Sequence, residues 1–197
     1  MRVLGCTGGI GSGKSYIANI FNKMGIPVYD SDNRAKALYD TDPLLLKQMV
    51  DLLGDAIVEN GIIQRNIIAS MIFADKALLA EVEKLVHPAV VRDFNIWKES
   101  FGQTAVPFVI MESAILLEKP LVKECTDRVV TVTAPFELRV ERVMERDKTE
   151  RQKVLDRMAV QWSDEKRMAM ADFIIFADGK RALLPQIRKV YDAMCSL

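Results

Sequence analysis

"GGIGSGKS", from Gly8 to Ser15, gathers four of the chain's ten glycines into eight residues. Glycine loses more freedom on folding than any other residue, so a cluster this dense needs a backbone reason. Its flanks supply one. RVLGCTG (2–8) is a short apolar run ending in glycine and reads as a buried strand. KSYIANIFNKMG follows, with Ile17, Ile20, Phe21 and Met24 at helical spacing and Gly25 closing the segment. Between a strand and a helix, Gly8-x4-Gly13-Lys14-Ser15 matches the phosphate-binding loop pattern in the context that pattern requires. Backbone N–H groups of Gly8, Gly9, Ile10, Gly11, Ser12 and Gly13 can converge on phosphate oxygens, and the helix N-terminus adds partial positive charge. Lys14 can reach the β- and γ-phosphates of a nucleoside triphosphate. The Ser15 hydroxyl can ligate the Mg2+ that bridges them.

The remaining apolar runs set the architecture. IPVYD (26–30), VPFVIME (106–112), DRVVTVTA (127–134) and DFIIFA (172–177) read as further short strands. Helical spacing fills the gaps over 136–147, 150–170 and 179–195. Short apolar strands alternating with helices point to an α/β fold: a parallel five-stranded sheet flanked by helices, as in nucleotide kinases with a phosphate loop. One such domain is expected over 1–197. Two gaps exceed what a plain crossover needs. Residues 40–103 carry DPLLLKQMVDLLG, RNIIASMIFA and KALLAEVEKLVHPAVVRDFNIWKESF, helical patterns with no strand of comparable strength. They are expected to form a helical substrate-side insertion, and residues 136–170 a lid, because ligands of open α/β sheets sit at the carboxyl ends of the strands.

Composition narrows the partners. Lys plus Arg and Asp plus Glu number 27 each, so no global attraction to nucleic acid or an anionic membrane surface is expected. Cys6, Cys125 and Cys195 are far apart, which fits a reducing cytoplasm and argues against a disulfide framework or a zinc cluster. A single histidine, His87, excludes a two-histidine metal site. No apolar run approaches ~18–20 residues, and MRVLGCTGG lacks the apolar stretch of a signal peptide. The expectation is a soluble, cytoplasmic protein acting on a small molecule.

Two acids and three arginines suggest which chemistry. Asp30 and Asp32, in VYDSDN, stand just past the second strand, near the phosphate loop of a doubly wound sheet. Ser31 or Asp32 could instead cap the next helix. A carboxylate 4 Å from an acceptor phosphate would repel it by about 1–4 kcal/mol, depending on the effective dielectric. Facing an acceptor hydroxyl, it takes a hydrogen bond and then the proton, so the pair favours phosphorylation of an alcohol. In FELRVERVMERD, Arg139, Arg142 and Arg146 fall on one helix face, with Glu137, Glu141 and Glu145 on a neighbouring one. The same spacing suits an exposed helix stitched by ion pairs. Yet guanidinium groups also match the charge spread of a transferring phosphoryl group, and Arg142 and Arg146 are the candidates.

These segments together resemble the dephospho-coenzyme A kinase family over nearly the whole chain. TGGIGSGKS (7–15) is similar to its phosphate loop. VYDSDNRAK is similar to its V-I-D-A-D-x-x-A-R segment, with Asp32 at the catalytic base and Lys36 at a usual arginine. LVHP (85–88) is similar to its Leu-x-His-Pro element, and ESAILLE (112–118) to its D-I-P-L-L-F-E stretch, with Glu112 and Glu118 at the acids. RVMERD (142–147) resembles its lid, RMAVQ (157–161) its R-x-x-x-Q, and ADFIIFADG (171–179) its segment near the adenine. Departures are local: Ala114 replaces a proline, Phe176 and Ala177 replace Asp and Asn, and Tyr16 stands where a threonine is common.

The resemblance implies ATP and Mg2+ as cofactors and dephospho-coenzyme A as acceptor, phosphorylated on its ribose 3′-hydroxyl to give coenzyme A and ADP in the last step of coenzyme A synthesis. It implies substrate contacts at Asp30 and His87, although His87 could instead satisfy a backbone group. Gly179 would lie beside the adenine, and Tyr16 would pack on the base or a neighbouring helix. A shikimate-type kinase is the alternative enzyme, but it carries a Gly-Gly-Gly substrate loop that this chain lacks. A non-catalytic ATP-binding module is the alternative outside catalysis.

Overall fold

Near-continuous apolar runs let a short strand bury both faces, and this chain lays five of them in a single parallel sheet. The structure, a computed structural model, describes residues 1–59 and 61–197. In order, its elements are β1 (Arg2–Thr7), α1 (Lys14–Lys23), β2 (Val28–Asp30), α2 (Ser31–Thr41), α3 (Pro43–Leu53), β3 (Val58–Glu59), β4 (Ile62–Ile63), α4 (Arg65–Ala74) and α5 (Lys76–Glu99). There follow β5 (Phe108–Glu112), the short α6 (Pro120–Lys123), β6 (Arg128–Thr133), α7 (Phe136–Asp147), α8 (Arg151–Ala159), α9 (Asp164–Met170), β7 (Phe173–Phe176) and α10 (Leu183–Cys195). The chain forms two compact units, Met1–Asp30 with Lys98–Leu197, and Ser31–Trp97.

The first unit holds the five-stranded sheet, ordered β2-β5-β1-β6-β7 with every pairing parallel. β1 is central, with β5 on one side and β6 on the other, so the loop that leaves its carboxyl end lies where the strand order switches direction. Register aligns Asp30, Glu112, Cys6, Val130 and Phe173 in one row across all five strands. Leu4, Phe108, Ile110, Val132 and Ile175 share the face of that row and pack on Ile17 and Phe21 of α1 and on Ile187, Val190 and Met194 of α10. The Phe108 ring meets Phe21 and Tyr191 edge-on, at 6.3 and 5.7 Å between centroids. A second cluster joins Val140 and Val143 of α7 to Val154 of α8, with Ile10 packed against it.

The long helix expected over 150–170 is two helices. Ser163 interrupts it, its Oγ accepting the Lys166 N–H at 3.3 Å as the cap of α9. Trp162 N–H leaves the helical pattern for Glu118 Oε1 at 3.2 Å. The last helix likewise begins at Leu183 and not near 179. Asp178 Oδ1 accepts the N–H groups of Lys180 and Arg181 and holds a turn there.

The second unit is helical apart from a two-residue antiparallel ladder, β3 with β4, that the helical reading of this segment passed over. Asp42 caps α3 through the N–H groups of Leu44 and Leu45, Pro43 occupies its first turn and Gly54 ends it. Leu38, Leu45, Met49, Ile57, Ile63, Ile68, Val82, Val90 and Phe94 are buried within this unit. Arg34 pairs with Asp93, Arg65 with Asp40 and Arg92 with Asp42. Among the described residues, no helix is long and apolar enough to cross a membrane.

Phe108 sits fully buried where β5, α1 and α10 meet. Phe108→Ala is expected to cost about 3–5 kcal/mol of unfolding free energy, read as a lower denaturant midpoint. An unchanged midpoint would contradict this packing.

Candidate active site

The turn after β1 brings Gly8–Gly13 over the end of the sheet and enters α1 at Lys14 with no side-chain cap. The first-turn amides of α1 are therefore left for an anion to cap. Glu112, at the end of β5, lies in register with Cys6 and is 5% exposed. One oxygen of its carboxylate, Oε1, accepts both Lys14 Nζ at 2.9 Å and Ser15 Oγ at 2.6 Å. The lysine and serine of the loop thus converge on one buried anion. Among the described residues no cluster of three or more His, Cys, Asp or Glu could hold a metal ion unaided. Ser15 Oγ and Glu112 Oε1 are hard oxygen donors, the set that suits Mg2+ when water and phosphate oxygens complete its shell.

The outer side of the loop is held by α7. Arg139 Nε donates to the Ile10 carbonyl at 2.9 Å, and Arg142 NH1 to the Gly11 carbonyl at 3.5 Å. Ile10 N–H donates in turn to Gln161 Oε1 at 2.9 Å, so both polar groups of residue 10 are engaged. Behind the loop, Asp164 Oδ2 accepts from Arg139 NH1 at 2.6 Å and from Thr133 Oγ1 at 2.9 Å. Arg167 donates to Asp164 Oδ1 at 3.2 Å and to Glu118 Oε1 at 3.3 Å.

On the other side of Arg142 a cavity of about 440 Å3 opens, lined by Gly13, Tyr16, Arg142, Ala177, Gly179, Arg181 and Leu183. Arg142 NH2 donates to the Ala177 carbonyl at 2.8 Å, and the Arg181 guanidinium stacks 3.9 Å from the Phe176 ring centre. Backbone N–H groups of Lys180 and Arg181 hold the Asp178 carboxyl below the usual carboxylate range. Gly13, Tyr16, Arg142 and Gly179, four of the residues anticipated from sequence, therefore meet around one space of a size suited to a base.

The other anticipated residues are distributed as follows. Asp30 ends β2 in register with Glu112, beside the carboxylate that holds Lys14 and Ser15. Arg146 is turned elsewhere: its guanidinium forks onto Asp147 at 2.6 and 3.0 Å and its side chain is largely exposed. Asp147 also accepts from Arg157, and these hydrogen bonds from Arg146 and Arg157 lower its pKa. Asp32 lies in the first turn of α2, and His87 is half-buried in α5 directly before Pro88, both in the Ser31–Trp97 unit. Sequence reasoning named Arg139 on its helix face without giving it a role, and passed over Asp164. The signal for Arg139 was its place one turn before Arg142 on a shared face.

A family model described as dephospho-CoA kinase matches residues 2–182. This chain belongs to the dephospho-CoA kinase family. The dephospho-CoA kinase of Bacteroides fragilis (strain YCH46) is 39% identical over 184 residues, 93% of this chain and 88% of that one. That of Porphyromonas gingivalis (strain ATCC BAA-308 / W83) is 36% identical over 195 residues, 98% and 95% of the two chains. A crystal structure from Thermus thermophilus, 29% identical, superposes with a TM-score of 0.80 and covers 99% of this chain and 96% of that one. The phosphate loop, Glu112, the arginines of α7 and Gln161 all lie inside the segment that matches the dephospho-CoA kinase model.

Two outcomes follow from this geometry. Gly11 has φ +77°, and a Cβ there would run into the backbone carbonyl of Arg139; Gly11→Ala is expected to weaken ADP binding at least tenfold, measured by calorimetry. Native ADP affinity in that variant would show that the loop does not need this close approach. Cys6 is pushed up to about 12 by burial first and by the Glu112 charge second, against the opposing pull of Lys14. At pH 8 its thiolate fraction is then about one in ten thousand. Iodoacetamide should label exposed Cys195 and spare Cys6 until the protein is unfolded, as peptide mass spectra would reveal; rapid native labelling of Cys6 would contradict its burial.

Proposed function

We propose that this chain transfers the γ-phosphoryl group of ATP to the ribose 3′-hydroxyl of dephospho-coenzyme A, giving coenzyme A and ADP in the last step of coenzyme A synthesis. What carries the proposal is the family match across residues 2–182, combined with a phosphate loop whose Lys14 and Ser15 converge on Glu112. Loop amides and Lys14 bind the donor phosphates, the Ile10 N–H excepted because Gln161 already takes it, and Ser15 with Glu112 holds the Mg2+ site. Mg2+, when bound, neutralises charge on the phosphates. Tyr16, Arg142 and Gly179 receive the adenine in the cavity that they line.

Asp32 takes the proton of the 3′-hydroxyl as its oxygen bonds to the γ-phosphorus. The bond to the leaving oxygen breaks and ADP departs. Asp30 and His87 contribute to acceptor binding, residues 40–103 form the acceptor-side segment, and residues 136–170 the lid region, from which Arg142 reaches the phosphate loop. The transition state is loose, so alignment and charge neutralisation outweigh base strength. Free cysteines at positions 6, 125 and 195 suit the reducing cytoplasm, which we take as the compartment.

A coupled ADP-release assay with dephospho-coenzyme A and with shikimate tests the acceptor, the product being identified by mass. Turnover of dephospho-coenzyme A alone is expected. Turnover of shikimate, or of neither, would overturn the assignment. Asp32→Asn should lower kcat by about 10²–10⁴ while ATP still binds, since a positioned base contributes on that order. Full activity in Asp32→Asn would remove Asp32 from the mechanism.

A further inference from the structure

Four buried or half-buried charges behind the phosphate loop belong to no step of the reaction above. Arg139 and Arg167 are 7% and 1% exposed, and they alternate with Asp164 and Glu118 so that the set carries no net charge. Isolated charges are costly to bury, and removing one partner leaves another uncompensated. The four therefore act as a unit, and among the described residues one hydrogen bond joins this unit to the loop. Arg139 donates to the Ile10 carbonyl through Nε while its NH1 is held by Asp164. The same guanidinium covers Gly9, where any Cβ would collide with it. A planar fork anchored at one end and bonded at the other has little freedom left.

We propose that Arg139 is a positioning residue for the phosphate loop and that Asp164, itself held by Arg167, positions Arg139. Fixing the Ile10 carbonyl outward turns the neighbouring amides toward the phosphates. Among the described residues Asp164 makes no hydrogen bond to the loop, yet through Arg139 it sets the loop's affinity for a polyphosphate. The inference rests on the reading of Gly8–Ser15 as the phosphate site.

The test is calorimetric titration of the full chain with Mg2+-ADP. Arg139→Met keeps the apolar stem and removes the guanidinium. Its Kd for ADP should rise by roughly tenfold to a hundredfold, the range for a hydrogen bond to a charged group. Asp164→Asn should raise Kd severalfold. A purely structural role would lower the titrated stoichiometry, as molecules misfold, and leave Kd unchanged; that result overturns the proposal. If Arg139→Met does not fold, Arg139→Lys takes its place. Lysine keeps the charge but lacks the planar fork that fixes both bonds together, so Kd should still rise, and a native Kd overturns the proposal. Lys14→Ala separates the two layers. Native ADP affinity in Lys14→Ala means that the phosphate-site reading itself has failed. Loss of ADP in Lys14→Ala with native affinity in both Arg139→Met and Asp164→Asn means that only the positioning role has failed.

Discussion

A loop that turns its amides inward to meet an anion turns carbonyls outward, and each outward carbonyl at a packed surface needs a donor. Here the donors are guanidinium groups one helical turn apart on α7, reaching the carbonyls of Ile10 and Gly11 in succession. Gln161 takes the Ile10 N–H from the other direction. The side chain of Ile10 packs against the Val140, Val143 and Val154 cluster. Residue 10 is therefore held by main chain and side chain alike, and the shape of the turn is set before any ligand arrives. Preorganisation of this kind limits the ordering cost that binding would otherwise carry.

The sheet register supplies the complementary half of the electrostatics. Cys6, Glu112 and Asp30 stand side by side at the carboxyl ends of neighbouring parallel strands. Glu112 draws Lys14 and Ser15 to the row, and its negative charge adds to burial in keeping the Cys6 thiol protonated. A thiolate here would place a second anion against Glu112 at the foot of the loop. A buried neutral Cys6 instead packs as a small apolar side chain in the core cluster, beside Leu4 and Val130. One strand end thus serves packing on β1 and charge on β5 without the two conflicting.

The five strands of the parallel sheet and α7 were legible in the sequence because their signals are local. A run such as FVIME has no helical alternative of useful length, and the helix over 136–147 occupies the span that its spacing predicts. The break between α8 and α9 was not legible, because the features that stabilise it lie far away in the chain. Trp162 N–H is satisfied by Glu118 and the Gln161 side chain by Ile10, partners that no window around 160 contains. The arginines illustrate the same limit. Arg139, Arg142 and Arg146 share a helix face, yet only tertiary packing separates them: the first is buried on Asp164, the second reaches two carbonyls, and the third finds Asp147 next to it in the chain. Spacing identifies a face, and neighbours decide what each side chain does on it.

The glycine cluster takes on a sharper meaning in this light. Phosphate proximity is the usual reason for small residues in such a loop, and Gly9 and Gly11 have a second one. A Cβ on Gly9 would meet the Arg139 guanidinium, and one on Gly11 would meet the Arg139 carbonyl. Both obstacles come from the outer, protein side. Bringing a helix close enough for its arginine to reach a loop carbonyl leaves no room for side chains between them, so the glycines and Arg139 are one design, each making the other possible. Being gripped from behind is one reason that glycine stands at these two positions, and the positive φ of Gly11 is another.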